Sequence, residues 1–134
     1  MTPFDLKIVT PDGLQYDGQA EEVIVRTTTG DLGVMAGHTN CVAPLGMGRA
    51  MLVLDGKPRY AACIGGMISV LDGKVHIVAT TFEWADQIDL ARAEASEQRA
   101  KAMMEDKSAN STDLRLAEAR LKRALVRKNV AQMK

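Results

Sequence analysis

Phe82-Glu83-Trp84-Ala85-Asp86-Gln87-Ile88-Asp89-Leu90-Ala91-Arg92-Ala93 marks the point where the hydrophobic pattern of this chain changes period. Before it, apolar residues alternate with polar ones, as in half-buried strands. After it, they recur at helical spacing. The stretch also carries the sole Trp. It predicts a junction between a β-rich domain over residues 1–85 and a helical domain over residues 86–134, hence an α+β chain.

Upstream, Phe4, Leu6 and Ile8 alternate with Asp5 and Lys7, the period of a strand with one buried face. Four Asp-Gly pairs follow, at Asp12-Gly13, Asp17-Gly18, Asp55-Gly56 and Asp72-Gly73. The dipeptide tolerates positive φ and favours tight hairpins. Hairpins are predicted for residues 49–54 with 58–64 and for 67–71 with 74–79, and a further strand over 22–28 is closed by Thr29-Gly30-Asp31. Turn signals this regular point to an antiparallel sandwich or barrel rather than to βαβ units. Gly33, Gly37, Gly46, Gly48, Gly65 and Gly66 are expected at strand ends, where bulges and corners need them. Gly65-Gly66 opens no helix and lacks the lysine of a phosphate loop.

Downstream, Asp86 is placed to cap a helix, with Asp89 adding a carboxylate where the helix dipole favours one. Residues 87–105 are rich in Ala, Glu, Gln, Arg and Met, all good helix formers. The polar segment 106–112 is the break, and Asn110 or Ser111 can cap a second helix running from about Thr112. Leu114, Ala117, Leu121 and Leu125 are its expected apolar face. A short polar loop makes the pair an antiparallel hairpin. Its alanines bury little surface each, at roughly 25 cal/mol per Å². The hairpin is therefore expected to be weakly held and to borrow stability from a partner or ligand.

The 134 residues have zero formal net charge, which gives no overall pull toward nucleic acid or anionic lipid. The halves differ in sign: residues 1–84 hold six basic and nine acidic side chains, residues 85–134 eleven and eight, and residues 115–134 alone seven and one. A hydrophobic fraction of 46% suffices for a packed core, and 4% aromatics leave that core to aliphatic side chains. Cys41 and Cys63, with only His38 and His76 for company, lack metal spacing and read as reduced structural thiols of a cytosolic protein. There is no basic-then-apolar leader and no apolar run approaching the ~18 residues of a membrane span. A soluble or peripheral protein is expected.

No catalytic set stands out. There is no Ser-His-Asp arrangement, no HExxH and no paired-carboxylate signature, and His38 sits in the turn-like Gly37-His38-Thr39-Asn40. The chain alone is not expected to be an enzyme. The sharper signal is helical: Asp89, Arg92, Ser96 and Arg99 project from one face, and Arg120, Arg123 and Arg127 form a stripe on the second helix. Guanidiniums converging with one carboxylate would suit a polyphosphate plus a hydrogen-bonded base or ribose. Ile88 and Ala93 could offer a small apolar wall to a purine. The same pattern suits a face that docks on protein, or a solvated face in which Asp89 and Arg92 form an ordinary helix ion pair. Spacing leaves all three open.

Taken together, the opening Phe4-Asp5-Leu6-Lys7-Ile8-Val9-Thr10-Pro11-Asp12-Gly13, the central Gly30-Asp31-Leu32-Gly33-Val34-Met35-Ala36-Gly37-His38-Thr39, the junction Trp84-Ala85-Asp86-Gln87-Ile88-Asp89 and the helical tail resemble the epsilon subunit of bacterial F-type ATP synthases. The resemblance spans the whole chain. It implies an N-terminal antiparallel β-sandwich followed by a C-terminal antiparallel two-helix hairpin. It implies a non-catalytic central-stalk subunit of a proton-translocating complex, peripheral at the cytoplasmic face of the bacterial cell membrane. The sandwich would dock on the gamma subunit and the rotor ring of c subunits through a surface that includes Thr28, Asp31, His38 and Thr39. The hairpin would either fold on the sandwich or extend along gamma toward the catalytic beta and alpha subunits, restraining ATP hydrolysis.

Some bacterial members bind ATP in the folded form through a segment written Ile/Leu-Asp-x-x-Arg-Ala, present here as Ile88, Asp89, Arg92 and Ala93. With Glu83 upstream and Arg99, Arg123 and Arg127 downstream, the set looks like the ATP-binding residues of Bacillus-type members. The resemblance thus implies ATP as a regulatory ligand, its adenine near Ile88, Asp89 and Ala93 and its phosphates among the arginines. Mg²⁺ would enter only through those phosphates. The alternative is a purely mechanical stalk and inhibitory module that binds no nucleotide.

Overall fold

The computed structural model of the chain describes residues 2–133. Its strands are β1 (Phe4–Thr10), β2 (Gly13–Ala20), β3 (Glu22–Thr27), β4 (Gly30–Val34), β5 (Cys41–Pro44), β6 (Met47–Leu54), β7 (Lys57–Leu71) and β8 (Lys74–Trp84). A short 3-10 turn, Ala85–Gln87, precedes α1 (Leu90–Glu105) and α2 (Ser111–Ala131). The chain divides into two units, Met1–Trp84 and Ala85–Lys134.

In the first unit the alternation of β1 is realised: Phe4, Leu6 and Ile8 are buried while Asp5 and Lys7 are exposed. The ladder order is β2-β1-β8-β7-β6-β3-β4, with β5 added on β7. Side chains from strands far apart in that order, such as Ile8, Val25, Leu52 and Ile77, share one buried cluster. The sheet therefore closes over itself into the two layers of a sandwich. One ladder departs from the antiparallel expectation. β1 pairs β8 in parallel, with Leu6 opposite Val75 and Ile8 opposite Ile77. No turn joins these two strands, so hairpin geometry does not fix their direction.

Asp55-Gly56 and Asp72-Gly73 are two-residue turns with both φ angles positive, at 52° and 75° and at 50° and 80°. Asp17-Gly18 is not a turn but lies inside β2, where Gly18 leaves room for the Tyr16 side chain: a Cβ there would stand 3.0 Å from the Tyr16 hydroxyl. Gly65-Gly66 likewise sits within one long strand rather than at a strand end. The first half of β7 pairs β6 and the second half pairs β5. The strand bends between them at φ +71° and +109° without changing register on β8. A Cβ at Gly66 would meet the Val78 carbonyl oxygen at 1.9 Å, so the corner admits glycine alone.

In the second unit the first helix starts later than Asp86 suggests. Asp86 falls in the 3-10 turn, and Asp89 is the N-cap, in extended conformation, accepting the Arg92 N–H at 3.1 Å. Burial decides between the two aspartates. Ile88, just before the cap, and Ala93, four residues into the helix, are both buried, the positions of a hydrophobic staple. Asp106 turns the chain after α1, accepting Ser108 N–H and Oγ–H at 2.9 and 2.7 Å. Asn110 caps α2 by accepting the Asp113 N–H at 2.8 Å.

The buried seam of the hairpin also differs from the leucine face. Leu114 and Leu125 are exposed at 38% and 36%, and the buried alanines are Ala93 and Ala100 on α1 with Ala117, Ala124 and Ala131 on α2, beside buried Glu97 and Val130. These alanines recur every seven residues, and methyl side chains let two helices approach closely. Leucines at neighbouring angles ride on the flank.

Candidate functional site

Between α1 and α2 lies a groove of about 450 Å³ lined by Ser96, Arg99, Ala100 and Met103 from one helix and Ala117, Arg120, Arg123 and Arg127 from the other. The alanines form its floor. Four guanidiniums form its walls, and among the described residues that line it there is no carboxylate. Arg99 is held by donating from Nη2 to Ser96 Oγ at 3.0 Å. Converging guanidiniums repel one another and attract a multivalent oxyanion, whose oxygens match the planar donor fork.

The eight residues of the predicted nucleotide set fall in four places. Arg99, Arg123 and Arg127 meet in the groove. Arg92 is exposed on the same stripe of α1, two turns nearer the helix start. Ile88, Asp89 and Ala93 build the helix start: Asp89 caps it, and Ile88 and Ala93 are only 5% and 4% exposed. Their apolar surface is used in packing, not presented as a wall. Glu83 belongs to the first unit, half-buried on β8 opposite Ala62. Ser96, Ala100, Met103, Ala117 and Arg120 complete the groove without belonging to the predicted set. Arg120 carries the signal in its spacing from Arg123 and Arg127.

On the seam side of α1, Glu97 is buried, and its carboxylate meets Lys101 Nζ at 3.0 Å and Lys128 Nζ at 3.1 Å. Hydrogen bonds from Lys101 and then Lys128 hold its carboxyl below the usual range.

In the first unit Thr28 is exposed in the turn after β3, and Asp31, on β4, lies 3.5 Å from the Arg26 guanidinium. His38 is half-buried and Thr39 exposed in the loop after β4; His38 Nδ1 approaches the Thr39 carbonyl oxygen at 2.7 Å. In the chain, Thr28 precedes β4, Asp31 lies on it, and His38 and Thr39 follow it. Cys41 and Cys63 are free thiols, and burial pushes Cys63 up to about 12. Among the described residues no three His, Cys, Asp or Glu side chains gather to hold a metal, and no helix is long and apolar enough to cross a membrane.

Comparison with known proteins bears on both units. Residues 3–85 match the family described as ATP synthase, Delta/Epsilon chain, beta-sandwich domain, and residues 86–132 match ATP synthase, Delta/Epsilon chain, long alpha-helix domain. The chain is 41% identical over 134 residues to the ATP synthase epsilon chain of Bacillus mycoides (strain KBAB4), covering 100% of both. It is 43% identical over 131 residues to that of Bacillus velezensis, covering 98% of each. It is also similar to a chain in the structure of the Euglena gracilis mitochondrial ATP synthase, OSCP/F1/c-ring, with a TM-score of 0.84 and 22% identity over 100% of this chain and 83% of that one. At that identity the likeness shows the fold.

Proposed function

The chain belongs to the ATP synthase epsilon-chain family, and from that premise we propose that its helical hairpin is an ATP-sensitive regulatory element. The chain is a non-catalytic subunit of the synthase. The observation that carries the proposal is the convergence of Arg99, Arg120, Arg123 and Arg127 from two helices on one groove. A triphosphate seated there touches both helices, so it favours the closed hairpin over any form in which the helices part. Arg92 would meet the ligand at the open end of the same stripe. Asp89, through its second carboxylate oxygen, would address the ribose and base, while Ile88 and Ala93 shape the helix start from beneath.

A ligand that binds only the closed form stabilises it by its differential affinity, about 2.7 kcal/mol at 100 times its dissociation constant. High ATP would then hold the hairpin in a non-inhibitory state. Low ATP would free it to extend along gamma toward the alpha and beta subunits and restrain hydrolysis. The sandwich would carry the docking to gamma and to the c ring of a proton-driven rotor, at the cytoplasmic face of a bacterial membrane. Mg²⁺ would come bound to the phosphates, since among the described lining residues only Ser96 offers a side-chain oxygen.

Isothermal titration of ATP into the full chain tests the site. Heat of binding is expected in the wild type and its loss in Arg99→Ala/Arg123→Ala. Silence in the wild type, or equal binding by the double variant, overturns the proposal. The exposed Leu114, Leu116 and Leu125 favour a second reading, a hairpin that docks only on protein. Removing residues 86–134 would then raise hydrolysis in the assembled enzyme equally at every ATP level.

A further inference from the structure

A carboxylate is costly to bury unless its charge is met on the spot. Glu97 is 4% exposed, and its nearest seam neighbours along α1 are Ala93 and Ala100. Its two oxygens are shared between Lys101, on its own helix, and Lys128, on α2. Among the described residues these two lysines are the cations within ion-pair distance of it. Both ends of the cross-helix pair adjoin groove residues in the chain. Glu97 follows Ser96, which accepts from Arg99, and Lys128 follows Arg127. Successive helical residues point about 100° apart. The Glu97–Lys128 pair therefore lies on one edge of the alanine seam and the guanidiniums on the other. One edge holds the guanidiniums of Arg99, Arg120 and Arg123, like charges on two helices that repel across the groove. The other holds an ion pair that draws them together.

We infer that Glu97 and Lys128 form a positioning clamp, which holds α1 and α2 in the register where Arg99, Arg120, Arg123 and Arg127 converge and offsets the repulsion among Arg99, Arg120 and Arg123 while no polyanion is bound. The inference rests on the groove being a polyphosphate site. The alanine seam has little shape to fix a register by itself, since methyl groups interlock weakly. A charge pair at one position supplies what the seam lacks, as single polar pairs do in coiled coils. What matters is then charge, not volume. Glu97→Gln and Lys128→Met fail, and Lys128→Arg serves.

The test uses the full chain, inorganic tripolyphosphate as probe, and two readouts: affinity by calorimetry and exchange of the α2 amides without ligand. Glu97→Gln and Lys128→Met are each expected to weaken tripolyphosphate binding by about tenfold, within the range of couplings between contacting charged groups. Both are expected to speed α2 exchange, while Lys128→Arg stays near wild type. The double variant Glu97→Gln/Lys128→Met should lose no more than either single change. A loss that instead multiplies across the two changes, or wild-type behaviour in Glu97→Gln, overturns the clamp. If the wild type takes up no tripolyphosphate, the polyphosphate reading fails, and exchange alone decides the clamp. Faster exchange in Glu97→Gln and Lys128→Met but not in Lys128→Arg upholds it, and unchanged exchange overturns it.

Discussion

Replacing Asp89 by alanine removes the carboxylate that accepts the Arg92 N–H at 3.1 Å and opens α1. An aspartate N-cap is worth about 1 kcal/mol over alanine. Its negative charge at the helix N-terminus adds about 0.3–1 kcal/mol. Together that is about 1.5 kcal/mol, roughly a tenfold shift toward an unwound first turn. Asp89→Asn keeps an acceptor oxygen in place and gives up only the charge, so it should cost a few tenths to about 1 kcal/mol. Amide exchange at Arg92 and Ala93 reads the first turn directly. It is expected to be about tenfold faster in Asp89→Ala and at most about fivefold faster in Asp89→Asn. The pair of variants then separates two roles that a single alanine change confounds. ATP affinity lost in Asp89→Asn, with the helix start intact, reports a contact with the nucleotide. Affinity lost only in Asp89→Ala reports the cap. Equal loosening of the first turn in both variants, or none in Asp89→Ala, would refute the reasoning.

Gly66→Ala forces a methyl against the Val78 carbonyl oxygen at a φ of +109°. It is expected to destabilise the sandwich by about 3 kcal/mol or more, visible as a lower melting temperature by the emission of buried Trp84, over whose ring the Arg59 guanidinium lies at 3.9 Å. Acid should loosen the hairpin through Glu97. Its carboxyl is lowered in the native state by Lys101 and Lys128, so the stabilisation is complete above the ordinary value of 4.5 and is lost as pH falls through the lower native one. Circular dichroism at 222 nm should show this loss below about pH 4.5 in the wild type and a flatter profile in Glu97→Gln.

The sequence makes the large divisions plain because they rest on period. The change at Trp84-Ala85 is a switch from alternation to helical spacing, and the turns at Asp55-Gly56 and Asp72-Gly73 need only local chemistry. What it does not make plain depends on contacts distant in sequence. Asp86 and Asp89 both satisfy a capping rule, and burial of Ile88 chooses between them. Asp17-Gly18 carries a turn signal, yet strand pairing with Leu6 and Lys7 overrides it. Leu114, Leu121 and Leu125 lie within a helical wedge beside Ala117, Ala124 and Ala131, so periodicity alone favours the larger side chains. The partner helix, lined with alanine, selects the smaller ones. In the site, the arginine stripe is legible from spacing, and Arg120 belongs to it. The burial of Glu97 is not legible, because a glutamate in a run of helix formers looks solvated until Lys128 is brought across the seam.

The account turns on whether ATP closes the hairpin. Amide exchange along α2 of the full chain, followed as ATP is raised, measures this most directly. Protection across α2 should rise with ATP concentration, by about 2.7 kcal/mol at 100 times the dissociation constant, and Arg99→Ala/Arg123→Ala should abolish the rise. Exchange along α2 that stays the same at every ATP concentration would contradict the account.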